Sequence, residues 1–183
     1  MSDRYQNRYR IASARHPNWN YSWAGAYFIT ICTQGRLNWF GEISENTFQP
    51  NPIGDLATSE WIKSPTLRPD MNLSLGAYVV MPNHFHGILI IGHNIHNAPD
   101  KHISNQFGPQ RKNVASVIRS FKGQVTRQAR LHRPSFGWQA RYHDHIIRNE
   151  KAYQRITQYI ESNPLNWEAD CFHPSAAPNK FTL

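Results

Sequence analysis

Two apolar runs separated by a very short break constrain the fold of this chain more than any other feature. Residues 71–80, MNLSLGAYVV, alternate in polarity and then become continuously apolar. Residues 81–91, MPNHFHGILII, resume after only a Met-Pro-Asn break. A break this short leaves no room for the crossover that parallel strands need, so the two runs predict antiparallel neighbours joined by a tight turn.

The other elements are predicted from periodicity and chain breakers. They are a strand over residues 26–34, a helix over 55–67, a helix over 113–131, a strand over 135–148 and a helix over 149–163, with loops over 35–54 and 93–112. This order predicts an α+β fold: a ferredoxin-like βαββαβ antiparallel sheet with helices on one face, plus an additional C-terminal helix.

The chain is expected to form a single domain with two tails. Residues 1–24 are polar, arginine-rich and aromatic and predict an extended N-terminal arm, 25–167 form the domain, and 168–183 form an irregular C-terminal tail. Cys32 and Cys171 have no disulfide-like or zinc-like spacing, which favours a reducing compartment. Without an apolar signal core or a membrane-length apolar run, the expected location is the cytoplasm and no membrane partner is expected.

The charge of the chain favours a polyanionic partner. Lys and Arg total 20 against 12 Asp and Glu, a formal net charge of +8, and 13% of the residues are aromatic. Basic side chains neutralise phosphates and exposed aromatic rings stack on unpaired bases, so nucleic acid is the first candidate. A basic surface that only maintains solubility explains the charge equally well.

Two histidines stand at the start of the second apolar run. Successive side chains of a strand point to opposite faces, so His84 and His86 share a face and Phe85 points away. Neutral imidazoles in this arrangement suit Zn, Mn, Fe or Ni, and they can share a Mg²⁺ or Mn²⁺ site with oxygen ligands. Two half-buried histidines that hydrogen-bond to the backbone are the alternative.

A second pair, His143 and His145 in RYHDHIIR, has the same spacing. The first pair is favoured as the metal site because it adjoins a continuous apolar run, where polar groups are costly unless they are used. We interpret the second pair as substrate contacts or as groups that support the site.

The last predicted helix offers a reactive hydroxyl. Tyr153 falls in the same apolar stripe as Ile156 and Ile160, which predicts a packing role. Tyr159 and Asn163 lie four residues apart on one flank of the helix. A tyrosine hydroxyl is a poor nucleophile unless a base or positive charge activates it, and a metal that polarises a phosphate would supply such help.

Three motifs in this order resemble the single-tyrosine HUH transposases, specifically the REP-associated tyrosine transposases of bacteria. They are YSWAGAYFITICT, MPNHFHGILII and NEKAYQRITQYIESNPLNW, and the resemblance spans about residues 21 to 167. It implies that His84 and His86 hold Mg²⁺ or Mn²⁺, that Tyr159 is the nucleophile and that Asn163 is the third protein ligand. Insertion-sequence relatives generally use Gln at this last position, so Asn163 favours the REP-associated branch.

The resemblance also implies the reaction and the partner. Tyr159 would cleave single-stranded DNA beside a palindromic hairpin, leaving a 5′-phosphotyrosine and a free 3′-OH, and strand transfer would reverse this step. A monomer is implied, whereas insertion-sequence relatives act as dimers. The candidate DNA contacts are Arg119, Lys122, Arg127, Arg130, Tyr21, Trp23, His143 and His145. A hairpin-binding protein without cleavage activity and a hydrolase with water as its nucleophile are the alternatives.

Overall fold

The computed structural model describes residues 19–97 and 111–176. Its strands are β1 (Gly25–Cys32), β2 (Gly41–Ser44), β3 (Thr47–Pro50), β4 (Leu73–Met81), β5 (His84–Ile91) and β6 (His143–Ile147), and its helices are α1 (Pro52–Ile62), α2 (Val114–Ala129) and α3 (Glu150–Ser162). The main sheet has the order β4-β5-β1-β6 with every pair antiparallel, while β2 and β3 form a separate hairpin. This is the predicted ferredoxin-like order. None of the helices in the described ranges is long and apolar enough to cross a membrane.

The β4–β5 hairpin confirms the prediction from the two apolar runs. Met81 pairs with His84 across a turn formed by Pro82 and Asn83. Strand alternation places Phe85 on one face of the sheet and His84 and His86 on the other. Both faces of β5 are therefore covered, which explains why its apolar run is continuous.

The two faces of the sheet carry separate hydrophobic clusters. Helices α1 and α2 cover one face, where side chains such as Trp61, Phe85 and Phe121 form the larger core. Helix α3 covers part of the opposite face, where Ile156 and Ile160 pack with residues of the sheet. The additional C-terminal helix is thus the one that lies beside the two histidines.

Helix α1 begins at Pro52, three residues before the predicted start. The Asn51 side chain accepts hydrogen bonds from the backbone N–H groups of Ile53 and Gly54, and proline is well suited to the first helical position. The helix ends at Ile62, before the predicted residue 67. In contrast, α2 begins at Val114, one residue after the predicted start, because Asn113 is its N-cap and accepts a hydrogen bond from the backbone N–H of Ser116.

Two sequence interpretations of the connecting segments are wrong. The predicted loop over residues 35–54 contains the β2–β3 hairpin, whose turn residues Glu45 and Asn46 both have positive φ. Glutamate rarely adopts this conformation, so the turn carried little signal. Only β6 remains of the strand predicted over 135–148. Phe136 and Trp138 lie in a loop, and their apolar side chains pack against the core.

The described part of the predicted arm lies on the body of the protein. The Trp19 indole N–H donates to Tyr27 Oη, which in turn donates to the carbonyl oxygen of Trp23. Tyr21 is a buried core residue, only 3% exposed. Residues 1–18 of the arm, 98–110 of the predicted loop and 177–183 of the tail lie outside the described residues.

Phe85 tests the assignment of faces because it lies between the two histidines and points away from them. Its ring contacts Trp61 and Phe121 and is fully buried. We expect Phe85→Ala to lower the free energy of unfolding by about 3–5 kcal/mol in a denaturant titration. Leu131→Ala, at a side chain 77% exposed, should change it by less than about 0.5 kcal/mol. Equal effects of the two variants would contradict this assignment.

Candidate active site

The C-terminal half of α3 brings Tyr159 over the histidine pair. His84 and His86 are 0% and 1% exposed, while Tyr159 is 41% exposed. The Tyr159 hydroxyl lies 3.2 Å from His86 Nε2. The structure therefore brings together the strand histidines and the helical tyrosine, which the sequence places about 70 residues apart.

One buried amide orients His84. Asn83 donates from Nδ2 to the carbonyl oxygens of Arg36 at 3.1 Å and Phe172 at 2.8 Å, so its Oδ1 faces His84 Nδ1 at 2.9 Å. Because that oxygen only accepts, Nδ1 carries the ring proton. Nε2 of His84 consequently presents a lone pair, and it is buried without a hydrogen-bond partner among residues 19–97 and 111–176.

Strand β1 orients His86. Its Nδ1 lies 2.9 Å from Thr30 Oγ1, and its ring stacks on Phe28 with the centroids 5.3 Å apart. With Nδ1–H donated to Thr30, Nε2 accepts from the Tyr159 hydroxyl. Both Nε2 atoms then face the same side, beneath the end of α3.

Both imidazoles are held in the neutral form. Burial lowers the pKa of His84 well below its ordinary value, and the neighbouring His86 lowers it further. Burial also lowers the pKa of His86, with a smaller contribution from His143. Neutral imidazole is the form that binds metal ions.

Asn163 and Asp170 complete the cluster. Asn163 donates from Nδ2 to Asp170 Oδ2 at 3.0 Å, which leaves the amide oxygen as the atom without a partner. Asp170 Oδ1 accepts from the backbone N–H of Phe172 at 2.6 Å. Within the described ranges, one group of His, Cys, Asp and Glu residues converges as metal ligands do: the ligand atoms of His84, His86 and Asp170 lie within 4.8 Å of one another.

These residues fit a divalent cation. The buried, unpartnered His84 Nε2 and Asn163 Oδ1 are both acceptors. Two unpaired acceptors in a buried site are costly unless a donor or a cation satisfies them. With His86 Nε2 and the Asp170 carboxylate, they form the mixed nitrogen and oxygen set that Mn²⁺ accepts and that Mg²⁺ accepts when water completes it.

Asp170 is the site residue that sequence reasoning missed. The tail was expected to be irregular, and a lone aspartate seven residues after Asn163 carries no periodic or motif signal. The chain returns to the site through a 3₁₀ helix, Pro164–Ala169.

The tail also covers the imidazoles. The Phe172 ring lies with its centroid 4.6 Å from that of His84 and 5.9 Å from that of His86. Arg36 holds this segment, because its Nη1 donates to the carbonyl oxygen of Cys171 at 2.9 Å and its guanidinium lies over the Phe172 ring. The site therefore extends past residue 167, where the predicted domain ends.

The two tyrosines of α3 lie in different surroundings. Tyr153 packs in the cluster beneath α3 beside Gly76, where an added Cβ would lie 2.6 Å from Tyr153 Oη. Tyr159 instead lies at the edge of the site. Burial raises the pKa of the Tyr159 hydroxyl, and the charge of Asp170 raises it further. Without an added positive charge, Tyr159 stays protonated at neutral pH.

The basic residues predicted to contact DNA lie on α2 or at its end, on the face of the sheet opposite Tyr159. Lys122 donates to the carbonyl oxygens of Gln139 and Arg141, and burial lowers its pKa to about 8. Arg130 donates to the carbonyl oxygen of Phe136. Lys122 and Arg130 thus hold the loop that precedes β6, and their DNA contacts, like those of Arg119 and Arg127, stay predictions.

The aromatic and histidine residues that are predicted to contact DNA differ in their exposure to solvent. Tyr21 is buried, so its ring is not available to stack on a base, whereas Trp23 is 44% exposed. His143 and His145 are exposed on β6, on the same face as His84 and His86. This placement agrees with their interpretation as substrate contacts rather than as a second metal site.

Two known proteins are similar to this chain over most of its length. An uncharacterized protein of Haemophilus influenzae is 37% identical over 165 residues, a match that covers 86% of this chain and 90% of that protein. The solved structure of a REP-associated tyrosine transposase bound to a REP hairpin matches with a TM-score of 0.56 and 23% identity, covering 86% of this chain and 74% of that one. The second match confirms the fold that the motifs implied.

A further solved structure, described as that of a candidate transposase from Deinococcus radiodurans, matches with a TM-score of 0.40 and 17% identity over 80% of this chain and 95% of that one. This likeness is too low to support an argument. No protein-family model matches the chain.

Removing one ligand should weaken metal binding in the absence of DNA. We expect His84→Ala and Asp170→Asn to reduce Mn²⁺ affinity by about tenfold or more, since changes at or around metal ligands commonly have this effect. Free Mn²⁺ can be counted by electron paramagnetic resonance. The matched control is Glu168→Gln, at an exposed acid of the same segment. A Glu168→Gln protein that loses as much affinity as Asp170→Asn would contradict the assignment.

Removing the Phe172 ring should expose the histidines. In the metal-free protein we expect Phe172→Ala to let diethyl pyrocarbonate modify His84 and His86, which are shielded in the parent protein. Mass spectrometry of peptides locates the modified residues. The exposed His143 and His145 are internal controls and should react at the same rate in both proteins. Unchanged protection of His84 and His86 would show that Phe172 does not shield them.

Proposed function

Because the chain belongs to the same family as the Haemophilus influenzae protein and has the fold of a REP-associated tyrosine transposase, we propose that it is a metal-dependent transposase that cleaves and rejoins single-stranded DNA at palindromic hairpins. The solved neighbour is bound to a REP hairpin, and the net charge of +8 suits a polyanionic partner.

One observation carries the proposal: the Tyr159 hydroxyl lies 3.2 Å from an imidazole of the candidate metal cluster. A structural tyrosine on this helix would be expected to pack as Tyr153 does. A hydroxyl that is partly exposed and next to a potential cation is instead placed to attack a phosphate bound at that cation.

The reaction transfers a phosphoryl group from one oxygen to another. Tyr159 Oη forms a bond to the phosphorus, the bond from phosphorus to the 3′ oxygen breaks, and the tyrosine proton passes to water. The 3′ oxygen keeps the electron pair of the broken bond and takes up a proton, so the products are a 5′-phosphotyrosine and a free 3′-OH. Joining reverses these steps with another 3′ end, so no nucleotide cofactor is needed.

His84, His86, Asn163 and Asp170 would hold the divalent ion. When bound, it would polarise the scissile phosphate and offset the charge that develops there. The residues of the chain position the reacting groups. Asn83 and Thr30 fix the orientation of the imidazoles, while α3 fixes the position of Tyr159.

Incubation with single-stranded DNA that carries a hairpin, in Mn²⁺ or Mg²⁺, tests the proposal. We expect strand cleavage and a protein–DNA adduct that survives denaturation, separated by gel electrophoresis. Tyr159→Phe should abolish both because no other group takes the place of the attacking oxygen. Tyr153→Phe removes the same atom from the same helix and should leave both intact.

The outcomes also separate the alternatives. Hairpin binding without cleavage would identify a DNA-binding protein, and cleavage without an adduct would identify a hydrolase that uses water. Either result would overturn the proposal. An adduct that persists in Tyr159→Phe would overturn the nucleophile assignment alone. His84→Ala should lose cleavage while it retains hairpin binding.

A further inference from the structure

Among the described residues, the face of the sheet beside Tyr159 is covered mainly on the side of β4. Helix α3 packs mainly on β4, with fewer contacts to β5. On the opposite edge, β6 presents His143 and His145 as exposed side chains. If Tyr159 attacks a phosphate, the DNA must approach over this open half, since α3 occupies the other.

A row of three paired residues connects the histidine cluster to the half of the sheet face that α3 leaves open. Thr30 of β1 pairs with His86 on one side and with His143 on the other. Residues paired across antiparallel strands point to the same face, so the three side chains form a row. Because threonine is short, its own side chain does not place a bulky group between the two imidazoles.

The pairing also separates the two exposed histidines of β6. His143 shares its row with Thr30 and His86. His145 pairs with Phe28, one row farther from the histidine cluster. His143 is therefore the histidine of β6 that lies nearer to the reacting centre.

We propose that His143 is a further catalytic residue, which donates a proton to the 3′ oxygen as it leaves. The proposal rests on the proposed transposase function. In phosphoryl transfer the attacking and leaving oxygens lie roughly in line. Tyr159 attacks from the side of α3, which places the leaving oxygen toward β6.

The step is balanced as follows. The bond between Tyr159 Oη and phosphorus forms with the electron pair of the hydroxyl oxygen, and the tyrosine proton passes to water. The electron pair of the bond between phosphorus and the 3′ oxygen stays with that oxygen. The oxygen takes a proton from the imidazolium form of His143, which becomes neutral imidazole, and the proton that Tyr159 gave to water restores the imidazolium.

Other groups nearby are less suited to this role. Thr30 is only 4% exposed and its hydroxyl lies against His86. Burial raises the pKa of the Cys32 thiol to about 12, so it is a weak acid, and Cys32 pairs with His84 rather than with a residue of β6.

A DNA substrate with sulfur in place of the scissile 3′ oxygen tests the proposal. A thiolate leaves without being protonated, because thiols are far stronger acids than alcohols. With the oxygen substrate, His143→Ala should form the adduct about 100-fold or more slowly than the parent protein, within the usual range for general acid catalysis. With the sulfur substrate the two proteins should react at similar rates.

A variant of the neighbouring histidine and the parent protein make the result decisive. His145→Ala removes a predicted DNA contact on the same strand and face, so it should change the rates on the two substrates by the same factor. His143→Ala that is slowed equally on both substrates would overturn the proposal, as would His143→Ala that reacts normally with the oxygen substrate. Failure of the parent protein to form an adduct on either substrate would instead refute the proposed function.

Discussion

Two neutral imidazoles buried at one end of a sheet impose the condition on which the rest of the site depends. Each ring nitrogen must find a partner, because an unsatisfied polar atom away from water is costly. Asn83 satisfies one nitrogen of His84, and Thr30 and Tyr159 satisfy both nitrogens of His86. The remaining nitrogen, His84 Nε2, has no partner among the described residues. The surroundings of the histidines thus leave one ring nitrogen that could bind a cation.

The sequence predicts the local parts of this arrangement well. Strand alternation places His84 and His86 on one face, and helical spacing separates Tyr153 from Tyr159, because both patterns depend only on nearby residues. The strand order also follows, since short connections and the βαββαβ sequence leave few topologies.

What the sequence could not predict depends on contacts between distant segments. Asp170 reaches the histidines because a proline-led 3₁₀ helix turns the tail back, and the aspartate itself has no pattern. Phe136 and Trp138 fall within the strand predicted over residues 135–148, but they lie in a loop and pack against the core. Lys122 is predicted to contact DNA, but the sequence did not reveal that its ammonium also donates to two carbonyl oxygens of the fold. In each case the sequence shows the type of the residue, but it does not show which distant residue it contacts.

Under the proposed function, the position of Asp170 would link metal binding to the approach of DNA. Its carboxylate shares the cluster with His84 and His86, and a scissile phosphate would have to bind nearby to meet Tyr159. Two anionic groups so close together repel each other strongly in a buried setting. A divalent cation held by the cluster would offset this repulsion, whereas neutral imidazoles add no charge of their own. Burial raises the pKa of the Tyr159 hydroxyl and the carboxylate of Asp170 raises it further, so the charge of a bound cation would also favour the deprotonated form of this hydroxyl.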